Sequence, residues 1–205
     1  VGTADIFVGS PVRGSGVEHR VTELWAIPEL TSAMSTTLEE LEQSRRRVPH
    51  QPREQALVET FRQVCDIAAS HNLTYQLHPC HGALVNSTDA HILFAGSVKR
   101  DNLKFNLDTA NQYFLKDNLF LSLLRLHDHI DYIHISDNRG SNVEHLAVGD
   151  GSIHWERFFE TLDRVGYRGK FGIDVGGAES DVPDLDGAYR NAAEWLQDKW
   201  FKNRS

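Results

Sequence analysis

Four short segments of this chain alternate apolar with polar residues. Each carries an ionisable side chain at or near its C-terminal end, always on the polar side. In a strand, residues two apart share a face. Over residues 73–78, Thr74, Gln76 and His78 oppose Leu73, Tyr75 and Leu77. Over 103–108, Lys104, Asn106 and Asp108 oppose Leu103, Phe105 and Leu107. Over 132–136, Tyr132, His134 and Ser136 oppose Ile133 and Ile135, with Asp137 just beyond. Over 170–175, Gly172 and Asp174 oppose Phe171, Ile173 and Val175. Each strand thus has one face to pack on helices and one that carries polar groups. A doubly wound sheet, covered by helices on both faces, favours apolar residues throughout. A barrel with a site at the C-terminal mouth of its strands accommodates the pattern better.

Helical stretches fall between these strands. Residues 52–70 bring Leu57, Phe61, Val64, Ile67 and Ala68 to one face. A second helix over 88–98 follows a Ser87 or Thr88 cap, and 119–127 is strongly apolar. A fourth runs over 155–165 and stops at Gly166, and a fifth covers 186–200. A further strand is expected over 4–9. The irregular stretch 11–52, with a helix over about 37–47, reads as a long loop of the kind that covers sites. Strand and helix in constant order predict parallel βα units, because parallel neighbours need a crossover. The expected fold class is therefore α/β, a parallel barrel in one domain over 1–205.

Two imidazoles and two carboxylates at one barrel mouth, His78, Asp108, His134 and Asp174, suit a divalent cation such as Zn, Mn or Co. Charge narrows the partners. With 21 Lys+Arg against 29 Asp+Glu, the formal charge of 21 − 29 = −8 argues against a nucleic-acid partner, which needs a clustered positive surface. It leaves room for a small anionic substrate. No apolar run approaches the roughly 18 residues that span a bilayer, so no membrane partner is expected. The two cysteines, Cys65 and Cys80, form neither a Cys-x-x-Cys pair nor a disulfide framework, which points to a reducing, cytoplasmic setting. Cys80 is expected to be a small buried residue. His127, Asp128 and His129 fall at a helix end just before a strand and read as a dipole-friendly cap rather than a metal box. Arg45, Arg46 and Arg47 read as a solvated helix face, Trp25 and Trp155 as core or lid, and Gly176-Gly177 as a turn or a close approach for substrate.

The run YIHISDNRGSNVEHLAVGDG at 132–151 resembles the xylose isomerase-like superfamily of TIM barrels. That group includes sugar and sugar-phosphate isomerases, ketose 3-epimerases and apurinic-site endonucleases. The segments NLDTAN (106–111), LTYQLHP (73–79) and GYRGKFGIDV (166–175) resemble further family strands in the right order, and ADIFVGSP (4–11) resembles a middle strand. The resemblance implies one divalent ion (Mn, Mg, Co or Zn) held by His78, Asp108, His134 and Asp174. The family has glutamates at the two outer positions, where this chain has His78 and Asp174. It implies Asp174 as the base and His78 as its acid/base partner or a ligand, with His145 and Arg139 orienting a sugar or sugar phosphate. Asn111 replaces a family histidine used by the multi-zinc nucleases, which disfavours that activity. The five expected strands correspond to the last five of the pattern, so the first three βα units are expected to be absent. The expectation is then a partial TIM barrel of about five or six strands, truncated or completed by a partner chain, with a homo-oligomer covering the open edge. The implied activity is proton transfer beside a carbonyl. A degenerate barrel that binds a partner or sugar without turnover is the alternative.

Overall fold

The computed structural model describes residues 50–177 and 180–202. The expected strand 4–9, the loop 11–52 up to residue 49 with its helix, Arg45–47 and Trp25 lie outside the described residues. The elements in chain order are α1 (His50–Ser70), β1 (Tyr75–Leu77), α2 (Thr88–Val98), β2 (Leu103–Asp108), α3 (Thr109–Phe114), α4 (Leu119–Leu126), β3 (Tyr132–Ile135), α5 (Trp155–Arg164), β4 (Lys170–Ile173) and α6 (Leu185–Leu196). The strands form one sheet in the order β1-β2-β3-β4. β2 runs parallel to β3, with Asp108 opposite His134, and β3 runs parallel to β4, with His134 opposite Gly172. This is the expected succession of βα units. No described helix is long and apolar enough to cross a membrane.

The described residues form two compact units. One comprises 50–77 with 92–104, and its core is Val64, Cys65, Tyr75, Val98 and Leu103, with Phe61 packed edge-on to Tyr75 and Phe94. Of the helical face expected from Leu57, Phe61, Val64, Ile67 and Ala68, the last four are turned inward, while Val58 rather than Leu57 packs against this core at the first turn of that face. The other comprises 78–91 with 105–202 and carries every residue of the candidate site. Its core joins Phe105, Leu107, Ile133 and Ile135 of the sheet to Leu123, Leu126, Phe158 and Leu162 of the helices. An aromatic group of Trp155, Phe159, Trp195 and Trp200 continues it. Trp155 is thus a core residue.

Several boundaries differ from expectation for local reasons. β1 begins two residues late because the Leu73 N–H is bonded to the Ala68 carbonyl at 2.9 Å, closing the turn out of α1. β3 stops before Ser136, whose N–H goes to the Thr109 hydroxyl at 3.1 Å instead of to a neighbouring strand. α4 ends one residue early and His127–His129 forms a tight 3-10 turn, with His127 Nδ1 3.2 Å from the Leu124 carbonyl. The expected cap is therefore there. α6 ends at Leu196 and passes into a wider turn, Gln197–Phe201. α3 was not anticipated from the sequence. Its N-cap is Asp108, whose side chain accepts the Asn111 N–H, so one residue ends a strand and starts a helix.

Candidate metal centre

Each site residue stands at or next to the C-terminal end of a strand. His78 follows β1, Asp108 closes β2, His134 lies within β3, and Asp174 follows β4, its N–H still bonded to the Ile135 carbonyl at 3.0 Å. One ligand atom from each of the four lies within 4.8 Å of the others. His78 Nε2 is 2.8 Å from Asp108 Oδ2. His134 Nδ1 lies between the carboxylates, 3.7 Å from Asp108 Oδ2 and 3.3 Å from Asp174 Oδ2. The two imidazoles meet edge to face at 4.9 Å. The polar phase read from the sequence is buried rather than solvated: Asn106, Asp108 and His134 are all at most 3% exposed.

Burial shapes the electrostatics of this cluster. Desolvation alone pushes the Asp108 carboxyl up, but contacts with His134 and His78 outweigh it and hold the group well below the usual carboxylate range. Burial pulls His134 down, and the pair of carboxylates overrides that, raising it to about 9. A proton on His134 and a divalent cation answer the same need, since two carboxylates facing one pocket require positive charge between them.

The donor set fits such an ion. Ligands about 2.1 Å from a common centre stand roughly 3 to 4 Å apart, and the four atoms here are within 4.8 Å of one another. Asp108 Oδ1 is engaged by the Asn111 N–H at 2.8 Å, which orients the carboxylate and leaves Oδ2 for a ligand role. Two imidazoles and two carboxylates suit Zn, Mn or Co chemically.

His145 joins this group, with Nδ1 3.1 Å from Ser136 Oγ and 3.5 Å from Asp174 Oδ2. Arg139 does not: its guanidinium is 3.2 Å from Glu144 Oε2, and its N–H donates to Glu144 Oε1 at 2.9 Å. Cys80 is exposed rather than buried, in the turn that follows Pro79. Gly176 and Gly177 both have positive φ, 102° and 95°, and the Gly176 N–H donates to the His145 carbonyl at 2.8 Å. Two supporting residues escaped the sequence reading. Thr109 ties β2 to β3 by donating to the carbonyls of His134 and Ser136. Glu144 is buried against Arg139. Thr109 had a sequence signal, a threonine directly after a strand-ending aspartate, which is a helix start.

A parallel βα sheet with a cluster of ionisable residues at its strand ends is the architecture of a TIM-type barrel. Residues 17–199 match the xylose isomerase-like TIM barrel, and the chain belongs to that family. It is similar to the ketose 3-epimerase of Arthrobacter globiformis, 25% identical over 111 residues, 53% of this chain and 37% of the relative. It is also similar to the L-ribulose-5-phosphate 3-epimerase UlaE of Salmonella paratyphi A, 23% identical over 137 residues, 67% of this chain and 48% of the relative. The solved structure of an L-ribulose 3-epimerase superposes with a TM-score of 0.66 at 16% identity, over 77% of this chain and 57% of that one. That likeness is one of fold. The chain spans about half the length, or less, of these curated relatives.

Proposed function

We propose that this chain performs the chemistry of a divalent-metal-dependent sugar or sugar-phosphate epimerase, moving a proton on and off the carbon beside a carbonyl. The observation that carries the reading is the convergence of His78, Asp108, His134 and Asp174 within 4.8 Å at the ends of four successive strands. The names of the curated relatives, both 3-epimerases, support the reaction class. Asp108, His134 and Asp174 would hold the cation, with His78 either as a fourth ligand or as the acid/base partner. When bound, it would polarise the carbonyl and adjacent hydroxyl oxygens of the substrate and so lower the pKa of the neighbouring C–H.

The rest falls to the chain's own groups. Asp108 is wholly buried and serves as an anchor, while the Asp174 side chain is 28% exposed and can face a substrate. Asp174 takes the proton and becomes a carboxylic acid; His78, whose side chain is 17% exposed, returns one from its imidazolium where it serves as the acid/base partner rather than as a ligand, and exchange with water restores both groups. His145, hydrogen-bonded to Ser136, orients the sugar. Arg139, 57% exposed, swings from Glu144 to meet a phosphate or hydroxyl. The formal charge of −8 supports a small-molecule substrate over nucleic acid. The proposal includes a single domain over 1–205, a homo-oligomer that covers the open barrel edge, and a cytoplasmic setting in keeping with two unpaired cysteines.

Incubation of the protein with Mn²⁺ and a ketose or ketose phosphate in D₂O tests the reading. Proton NMR is expected to show loss of the C3 proton signal and growth of the C3 epimer. Protein that binds neither Mn²⁺, Co²⁺ nor Zn²⁺ and exchanges no proton refutes it. A sugar-binding module without turnover is the second reading, favoured by Asp174 standing where the family has a longer glutamate. It predicts bound cation and bound sugar with no exchange.

A further inference from the structure

The loop after β3 is built around a carboxylate that the proposed chemistry does not use. Asp137 is 1% exposed. Its Oδ1 accepts the N–H of Asn138 at 2.8 Å and of Ile153 at 3.1 Å. Its Oδ2 accepts the N–H of Gly149 at 2.9 Å and the indole N–H of Trp155 at 2.8 Å. Its backbone also pairs with Leu146 in both directions, at 2.8 and 2.9 Å. A Cβ on Gly151 would lie 2.2 Å from Oδ1, so the carboxylate can sit there only because residue 151 is glycine. Burying a carboxylate is costly unless hydrogen bonds replace its water. Among the described residues all its partners are neutral donors, and all belong to the segment 138–155.

That segment carries His145, next to the Leu146 that Asp137 pins. The His145 N–H donates to Ser180 Oγ at 2.7 Å and its carbonyl accepts from Gly176, so the residue is held on both sides of its Cα. Its ring then faces Ser136 and Asp174. We infer that Asp137 is a positioning residue: its carboxylate closes the loop into a ring and thereby sets His145 against Asp174 and Ser136. This deepens the epimerase reading and rests on it for its kinetic consequence alone.

Asp137→Asn keeps the shape but turns one acceptor into an N–H that faces other N–H groups. The imidazole resonances of full-length protein labelled with ¹⁵N-histidine, with His145 assigned by difference from His145→Gln, are expected to shift. In the presence of Mn²⁺, kcat for ketose proton exchange is expected to fall about 100-fold, with KM and Mn²⁺ affinity held within about threefold, as for a misplacement of about 1 Å. Trp155→Phe removes a single donor; it is expected to shift the same resonances less and to lower kcat about tenfold. That variant keeps the test open should Asp137→Asn fail to fold. Unmoved His145 resonances in either folded variant overturn the inference, as do shifted resonances with kcat at the wild-type level. Shifted resonances in a protein whose wild type exchanges no proton uphold the positioning role and overturn the epimerase reading instead.

Discussion

His91 is wholly buried against Phe105, and neither ring nitrogen has a hydrogen-bond partner. Desolvation, helped by nearby His129, pulls its pKa from 6.5 down to about 3. A folded-state value below the unfolded one means the unfolded chain binds the extra proton. The stability this neutral ring permits is therefore complete above pH 6.5 and lost as pH falls towards 3. At pH 5 the loss amounts to about 2 kcal/mol. His91→Leu, of similar bulk and without orphaned nitrogens, is expected to raise stability at pH 8 by about 1 kcal/mol and to flatten the decline between pH 6.5 and 4. Urea unfolding at several pH values checks both, and parallel profiles for the two proteins would refute them. Asp108 poses a different question, because it caps a helix and is also a ligand in the proposed site. Asparagine caps as well as aspartate does, so Asp108→Asn is expected to keep α3 and cost Mn²⁺ affinity about 100-fold or more. Titration calorimetry beside circular dichroism separates the two duties of that side chain.

At the scale of elements, the polar phase of each strand was legible because a period of two leaves little choice of face. Asp108 and His134, each on the polar face that the alternation implied, meet across β2 and β3 in a register that the alternation alone does not fix. What was not legible were the places where a side chain takes over a backbone partner. Thr109 captures the Ser136 N–H, ending β3, and Asp108 starts an unforeseen helix; neither event leaves a mark on hydrophobic periodicity. The loop ring around Asp137 was likewise hidden, since its donors are mostly backbone N–H groups. A close fit between β3 and β4 was also unforeseen. A Cβ at Gly172 would lie 2.3 Å from the Tyr132 hydroxyl, so the ring, which packs edge-on to His134 at 5.2 Å, occupies the space that glycine leaves. Gly172→Ala is expected to destabilise by about 2 kcal/mol through overpacking. In a Tyr132→Ala background the same change is expected to cost less than about 0.5 kcal/mol. A double-mutant cycle in urea measures this coupling; additive effects would mean that the ring does not rest on β4.

For the molecule as a whole, the cation site proposed at four strand ends would link ligand binding to the stability of the fold. The four proposed ligand residues lie 26 to 96 positions apart in sequence, so no unfolded chain presents them together, and an ion that binds them binds the folded state alone. Such linkage stabilises by RT ln(1 + [L]/Kd), about 2.7 kcal/mol at a free ion concentration of 100 times Kd. With a urea dependence of about 2 to 3 kcal/mol per molar, the midpoint is expected to rise by about 1 M. The increment should vanish in Asp108→Asn, which retains the cap, and persist in Arg139→Ala, whose side chain engages Glu144 rather than the cluster. It should also grow with the logarithm of ion concentration, which separates site binding from a general salt effect on a chain of charge −8. Mg²⁺ at matched ionic strength supplies the comparison, since it retains its water more tightly and favours all-oxygen sites. An ion that shifts the wild type and Asp108→Asn equally acts on the acidic surface, and the four strand ends are then not its site.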